Sequence, residues 1–138
     1  MKTNYGQAAL RHWIASGVLE EENLLQDAAY LAGYVGECGL KAAIIALGGI
    51  GNPKSYVHDL EALSGDVLAS AALFSRGYGR YAAIAKPLGS VQWSPEDRYD
   101  NDRTDMETMK SNCDRFREAG SSLIFALLLD GLLEDVLC

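Results

Sequence analysis

Apolar residues recur along this chain at alternating steps of three and four, the spacing that places side chains on one face of an α-helix. The pattern is clearest after the acidic run from Glu20 to Glu22, which suits a helix N-terminus. The recurring apolar positions there are Leu24, Ala28, Leu31, Val35, Ala42 and Ile45. The spacing predicts a long helix that ends at Gly48 and Gly49.

Four further helical blocks follow from the same periodicity and from the placement of glycine and proline. The first runs from about Thr3, a candidate N-cap, to Ser16, with a turn at Gly17. The others cover His58 to Leu63, about Asp66 to Lys86, and about Thr104 to Val136. No alternation of period two persists in the sequence. We therefore predict an all-α fold, an antiparallel up-and-down bundle of four to five helices.

Composition limits the class of protein. The 138 residues include 12 Lys and Arg against 19 Asp and Glu, which gives a formal net charge of -7. Such a balance argues against coating nucleic acid or an anionic membrane by bulk charge. With 49% hydrophobic residues, a chain of this length can bury its own core, and we expect one domain over residues 1–138.

Cysteine and histidine usage argues against a metal site. The three cysteines are widely spaced without a CxxC pair, and the chain has two histidines. We expect no cofactor. The first residues lack the apolar run of a secretion signal, and no stretch reaches the roughly 18 apolar residues of a membrane span. These features predict a cytoplasmic protein with reduced thiols and no membrane contact.

Glu37 and Lys41 are the charged pair of the long second helix. They are one helical turn apart, with Glu N-terminal to Lys, the favoured order for an ion pair. The simplest interpretation is an exposed pair of small energetic value. The flanking residues are small or apolar, however, which predicts a partly buried carboxylate that needs a partner.

A late loop could supply that partner. Trp93 precedes Arg98 and Tyr99 in the segment WSPEDRY. In one interpretation this is a surface loop whose arginine pairs with neighbouring aspartates. In the other, Arg98 turns inward to meet Glu37, and Tyr99 and Trp93 pack over the pair. The sequence does not decide between these two interpretations.

The order of these segments resembles the HEPN superfamily. The segments are RHWIASGVLEEENLLQDAAYL, AAYLAGYVGECGLKAAI, the His58-Asp59-Leu60 triplet and WSPEDRY, which together run from about Arg11 to Tyr99. The chain is most similar to small bacterial members whose second helix reads AECALKA and whose late loop ends in Arg-Tyr. The resemblance implies a helical bundle that dimerises, with a polar groove at or near the dimer interface.

The resemblance also bears on activity. HEPN domains act as metal-independent ribonucleases, as nucleotide-binding or substrate-binding modules beside nucleotidyltransferases, or as inactive assembly domains. In the ribonucleases, an Arg that holds phosphate precedes a His that performs acid/base chemistry by four to six residues. This motif is absent before both histidines. Lys54 could supply a charge near His58, but as a point charge. We favour a capping or packing role for His58.

A basic and aromatic segment is the remaining candidate site. Between Asp66 and Glu96 the only charged side chains are Arg76, Arg80 and Lys86. Arg76 and Arg80 share a helix face, with Tyr78 and Tyr81 interleaved. Arginine with tyrosine suits contact with a nucleotide or with single-stranded nucleic acid. We favour the alternative, that these arginines pair with acidic residues of the bundle or of a dimer mate.

These features together predict a non-catalytic HEPN-like module. It would form a homodimer and bind a partner protein or a nucleotide, in a defence or toxin-antitoxin type of system. We expect the dimer because the apolar stripe of the fifth helix and the small-residue surface of the second exceed what one chain covers. The alternative is a metal-independent endoribonuclease with a degenerate site at His58 and Lys54.

Overall fold

The helices confirm the all-α prediction. A computed structural model describes residues 4–47, 58–71, 78–91, 93 and 106–133. Across those ranges there are five α-helices, one 3-10 helix and no strand. The α-helices are α1 (Tyr5–Glu21), α2 (Leu25–Ala46), α3 (Leu60–Ala71), α4 (Tyr78–Ala85) and α5 (Met106–Leu129). The 3-10 helix, Lys86–Ser90, directly follows α4.

The connection between α1 and α2 corrects two predictions. α1 continues through Gly17, where a turn was expected, and the acidic run lies at its end instead of at the start of α2. The turn is formed by Asn23, whose φ is 61°. The Leu24 amide donates to the Leu19 carbonyl at 2.9 Å, which closes the end of α1 in the manner of a Schellman motif.

Contacts with α5 explain why α1 passes through Gly17. A glycine inside a helix costs only about 1 kcal/mol, and contacts made by the surrounding turns can exceed that cost. The Arg117 guanidinium donates to Ser16 Oγ at 3.0 Å and to the Trp13 carbonyl at 3.1 Å. At the other end of α1 the N-cap is Asn4, not Thr3, because Asn4 Oδ1 accepts from the Gln7 amide.

The other helix boundaries agree with the prediction in one case and differ in two. α2 ends at Ala46, just before the predicted stop at Gly48 and Gly49, two residues that lie outside the described ranges. α3 runs without a break across the predicted gap between Leu63 and Asp66. α5 ends at Leu129, before the predicted Val136, because Gly131 adopts a φ of 72° and terminates it.

α2 lies between α1 and α5 and forms the centre of the core. Tyr5, early in α1, lies against Lys41, late in α2, and His12 lies against Tyr34. On the opposite side, a Cβ added at Gly39 would lie 3.1 Å from the Gly120 backbone. The α2 and α5 backbones therefore touch. The two surfaces from which a dimer was predicted cover each other within one chain.

Candidate functional site

A buried carboxylate is the centre of the candidate site. Glu37 is only 3% exposed. Its Oε2 lies 3.7 Å from the Lys41 ammonium, one turn along α2. Its Oε1 lies 2.5 Å from Nδ1 of His58, a short hydrogen bond. A carboxylate removed from water needs such partners, and here it has two.

The start of α3 positions His58. The Asp59 side chain accepts from the Ala62 amide at 3.1 Å and so caps α3. The capping role therefore falls to Asp59, and the imidazole of the preceding residue is directed to α2. The His58 side chain remains 37% exposed. The buried ionic cluster of Glu37, Lys41 and His58 is thus reached from solvent through the imidazole.

Aromatic rings line the cluster. The Tyr34 ring lies 4.9 Å from the Trp93 ring and 6.0 Å from the His58 ring, both edge-to-face. Trp93 is also 6.1 Å from His58. Gly33 allows the indole to lie directly on α2, because an added Cβ would be 2.5 Å from Trp93 Cδ2. The buried indole N–H of Trp93 has no hydrogen-bond acceptor among the described residues.

The neighbours of Glu37 stay neutral near physiological pH. Burial raises the pKa of Cys38 to about 12, and the Glu37 charge adds to the shift. Burial, Cys38 and Glu37 together raise the pKa of Tyr5 above its usual value. The Lys41 ammonium, which also lies over the Tyr5 ring at 5.4 Å, and the His58 imidazole are the two groups that pair with the carboxylate.

Hydrogen bonding fixes what the imidazole can do. Because Nδ1 is hydrogen-bonded to Glu37, Nε2 is the nitrogen left for another partner. It accepts a hydrogen bond when the ring is neutral and donates one when the ring is protonated. A molecule bound at His58 would meet one imidazole nitrogen beside two aromatic rings.

The structure brings together four of the residues singled out from the sequence, namely Glu37, Lys41, His58 and Trp93. Lys54, Arg98 and Tyr99 lie outside the described residues, so the proposed approach of Arg98 to Glu37 stays a prediction. No sequence pattern predicted the contact between His58 and Glu37. Tyr34 was also missed, although a tyrosine three residues before Glu37 on one helix is placed to share its face.

The basic segment has an acidic partner within the chain. The Arg80 guanidinium donates to the Asp130 carboxylate, and the Tyr81 hydroxyl donates to the same oxygen at 2.6 Å. Arg80 and Tyr81 together hold the pKa of Asp130 below its usual value. Asp130 caps the C-terminus of α5, where a negative charge is unfavourable. The two donors offset that cost.

Tyr81 is unsuited to stacking on a base. Its ring is 1% exposed, and burial, followed by the bond to Asp130, raises the pKa of its hydroxyl to about 12. Arg76 lies outside the described residues, and the side chain of Tyr78 is not described either. Of this segment, the structure thus describes one arginine and one tyrosine, and both are directed to α5.

We expect the wild-type chain to show no salt-sensitive binding of single-stranded RNA at about 0.15 M salt, because Arg80 is paired and the net charge repels phosphate. Filter binding with a labelled oligonucleotide measures this. The Arg80→Ala variant should behave like wild type, and so should Lys86→Ala, which removes an exposed cation nearby. Binding by wild type that only Arg80→Ala abolishes would contradict the structural role of Arg80.

A second cluster of titratable side chains lies where the end of α1 meets α5. In the described part of the chain, one group of potential ligands comes together, with ligand atoms of Glu20, Cys113 and Asp114 within 4.8 Å of one another. Burial, then Glu20, raises the pKa of Cys113 to about 12, so the thiol stays protonated. The same two causes raise the pKa of Asp114. Although burial opposes it, hydrogen bonds to Cys113 and Asp114 hold the pKa of Glu20 below its usual value.

Comparison with protein-family models, with curated proteins and with solved structures found no match to this chain. Among the described helices, none is both long and apolar enough to cross a membrane.

Proposed function

We propose that this chain is a non-catalytic HEPN-like module that dimerises and binds a partner protein or a nucleotide at the groove beside Glu37. The observation that carries the proposal is the buried Glu37 carboxylate, held by Lys41 and His58 and open to solvent at the imidazole. A buried ionic cluster seldom stabilises a fold more than apolar residues would. Its presence beside aromatic rings favours recognition as its role.

The order of helix contacts supports part of the proposed arrangement. Trp13 contacts Phe125, while Ser16 contacts Arg117, so α1 runs opposite to α5. The contacts of Tyr5 with Lys41 and of His12 with Tyr34 indicate that α1 also runs opposite to α2. We therefore propose antiparallel packing for these two pairs. α2 and α5 then share a direction, which differs from strict up-and-down alternation.

The cluster suits binding better than catalysis. Phosphate chemistry needs a cation beside the acid or base, and the Lys41 ammonium is already engaged by Glu37 and the Tyr5 ring. His58 offers a single nitrogen next to the Tyr34 and Trp93 rings. One hydrogen bond beside aromatic rings is a combination that recognises a nucleotide base or a planar side chain. A protein encoded beside this chain, such as a nucleotidyltransferase, is the partner that we propose.

Titration with AMP and ATP, followed by NMR of the imidazole protons, tests the nucleotide branch. The chain has two histidines, so each ring gives a resolved signal. We expect a saturable shift of the His58 signal, which is assigned by its absence from His58→Gln, and the same shift in His12→Gln. An unchanged His58 signal at millimolar nucleotide would exclude nucleotides as the ligand.

One observation favours ribonuclease activity as a second candidate function. A carboxylate on Nδ1 orients an imidazole and leaves Nε2 for proton transfer, as in general acid/base catalysts. The same variants test it. Degradation of total RNA in EDTA by wild type and His12→Gln, but not by His58→Gln, would establish a metal-independent nuclease in place of a binding module.

A further inference from the structure

The outer side of α1 carries a ridge of exposed side chains. Arg11, Ile14, Val18 and Glu21 follow one another at steps of three and four, so they share one face of the helix. Ile14 is 57% exposed and Val18 is 55% exposed. The other sides of α1 are covered, since His12 packs on α2 and Trp13 packs on α5. This α1 ridge is the side that neither neighbour reaches.

We propose that two copies of the chain pack through this ridge, with the two α1 helices antiparallel about a two-fold axis level with residue 16. The proposal rests on the dimer put forward above and names its interface. Ile14 and Val18 are each two positions from residue 16, so Ile14 of one copy faces Val18 of the other. Arg11 and Glu21 are each five positions from it, so they also face each other.

The charge pattern of the ridge is complementary to that of a second copy of the chain. From its N-terminal to its C-terminal end, the ridge is basic, apolar, apolar and acidic. In two antiparallel copies, the basic end of one ridge therefore faces the acidic end of the other. Within the described ranges neither Arg11 nor Glu21 forms a salt bridge. Two copies with a net charge of -7 each repel at long range, and two Arg11–Glu21 pairs counter this repulsion where the chains meet.

The apolar part of the interface extends onto α5. Phe125 is exposed and lies 6.2 Å from the Trp13 ring, at the edge of the ridge. Leu129, one turn further along α5, is exposed as well. Exposed apolar side chains thus lie on two neighbouring helices, as expected of a contact surface. A second copy that covers the ridge also shields this edge.

Sedimentation velocity of paired isoleucine variants tests the interface. Ile14→Ser should raise the dimer dissociation constant at least about tenfold, because the substitution removes a buried side chain twice in each dimer. Ile45→Ser is the matched control, since Ile45 on α2 is 54% exposed and lies outside the ridge. Equal dissociation constants for wild type and Ile14→Ser would overturn the interface but leave the dimer itself standing.

Charge reversal tests the two-fold pairing. Arg11→Glu and Glu21→Arg should each weaken the dimer, because like charges then face each other across the axis. The double variant Arg11→Glu/Glu21→Arg should restore the wild-type dissociation constant, and the rescue should shrink as salt rises. Absence of rescue would overturn the antiparallel register. A wild-type chain that stays monomeric at about 100 µM would overturn both the interface and the proposed dimer.

Discussion

Gly120→Ala is expected to lower the free energy of unfolding by about 3 kcal/mol, near the upper end of the usual cost of overpacking. An added Cβ would lie 2.6 Å from the carbonyl carbon and from Cγ1 of Val35. The carbonyl belongs to the α2 backbone, so it cannot rotate away as a side chain could. α5 would have to move off α2 along the most extensive helix contact of the fold.

Gly65→Ala is the matched control for that experiment. Gly65 is also inside a helix, and an added Cβ there would meet nothing within 4 Å. Alanine should therefore raise the free energy of unfolding by about 0.5 to 1 kcal/mol through helix propensity alone. Urea denaturation of both variants measures the difference. Equal changes of the same sign would show that α2 and α5 do not touch at Gly120.

Glu37→Gln should lower the free energy of unfolding by about 3 kcal/mol, because it leaves the buried Lys41 ammonium without its countercharge. Glu61→Gln is the control, since Glu61 is exposed in the first turn of α3. It should cost less than about 1 kcal/mol, the usual contribution of a carboxylate near a helix N-terminus. Thermal and urea unfolding at constant pH compare the two.

A third variant tests which lost contact causes the expected effect of Glu37→Gln. Lys41→Met in the Glu37→Gln background should recover part of the lost stability, since the unpaired buried charge is then gone. No recovery would indicate that the loss arises from the His58 hydrogen bond and not from the ammonium. Equal melting temperatures for Glu37→Gln and Glu61→Gln would mean that Glu37 is solvated in solution.

The sequence predicted helices well because their apolar spacing is a local property. It predicted their ends poorly where tertiary contacts decide them. A turn was predicted at Gly17 and a gap between Leu63 and Asp66, yet Gly17 and Gly65 both lie inside helices. The observed turn depends on a positive φ at Asn23. A short polar side chain tolerates this conformation, but its presence in the sequence does not predict it. Packing of the flanking turns outweighs the modest cost of an internal glycine.

The candidate site, like the helices, could be predicted from the sequence only in part. Burial of Glu37 could be predicted from its small and apolar neighbours along α2. Its bond to His58 could not, because 21 positions separate the two residues and only the packing of α3 on α2 joins them. Similarly, the acidic partner of Arg80 is Asp130, 50 positions away. Periodicity within one helix contains no information about which distant carboxylate completes a pair.

The two tryptophans are placed so that intrinsic fluorescence separates two events. Trp93 adjoins His58 beside the Glu37 cluster, and Trp13 adjoins Phe125 at the edge of the α1 ridge. They are the only tryptophans in the chain, so replacing either with phenylalanine leaves a single emitter. Emission from Trp93 alone would then report binding of the proposed ligand beside His58, and emission from Trp13 alone would report formation of the proposed dimer. The unlabelled protein thus carries its own optical probe for each process.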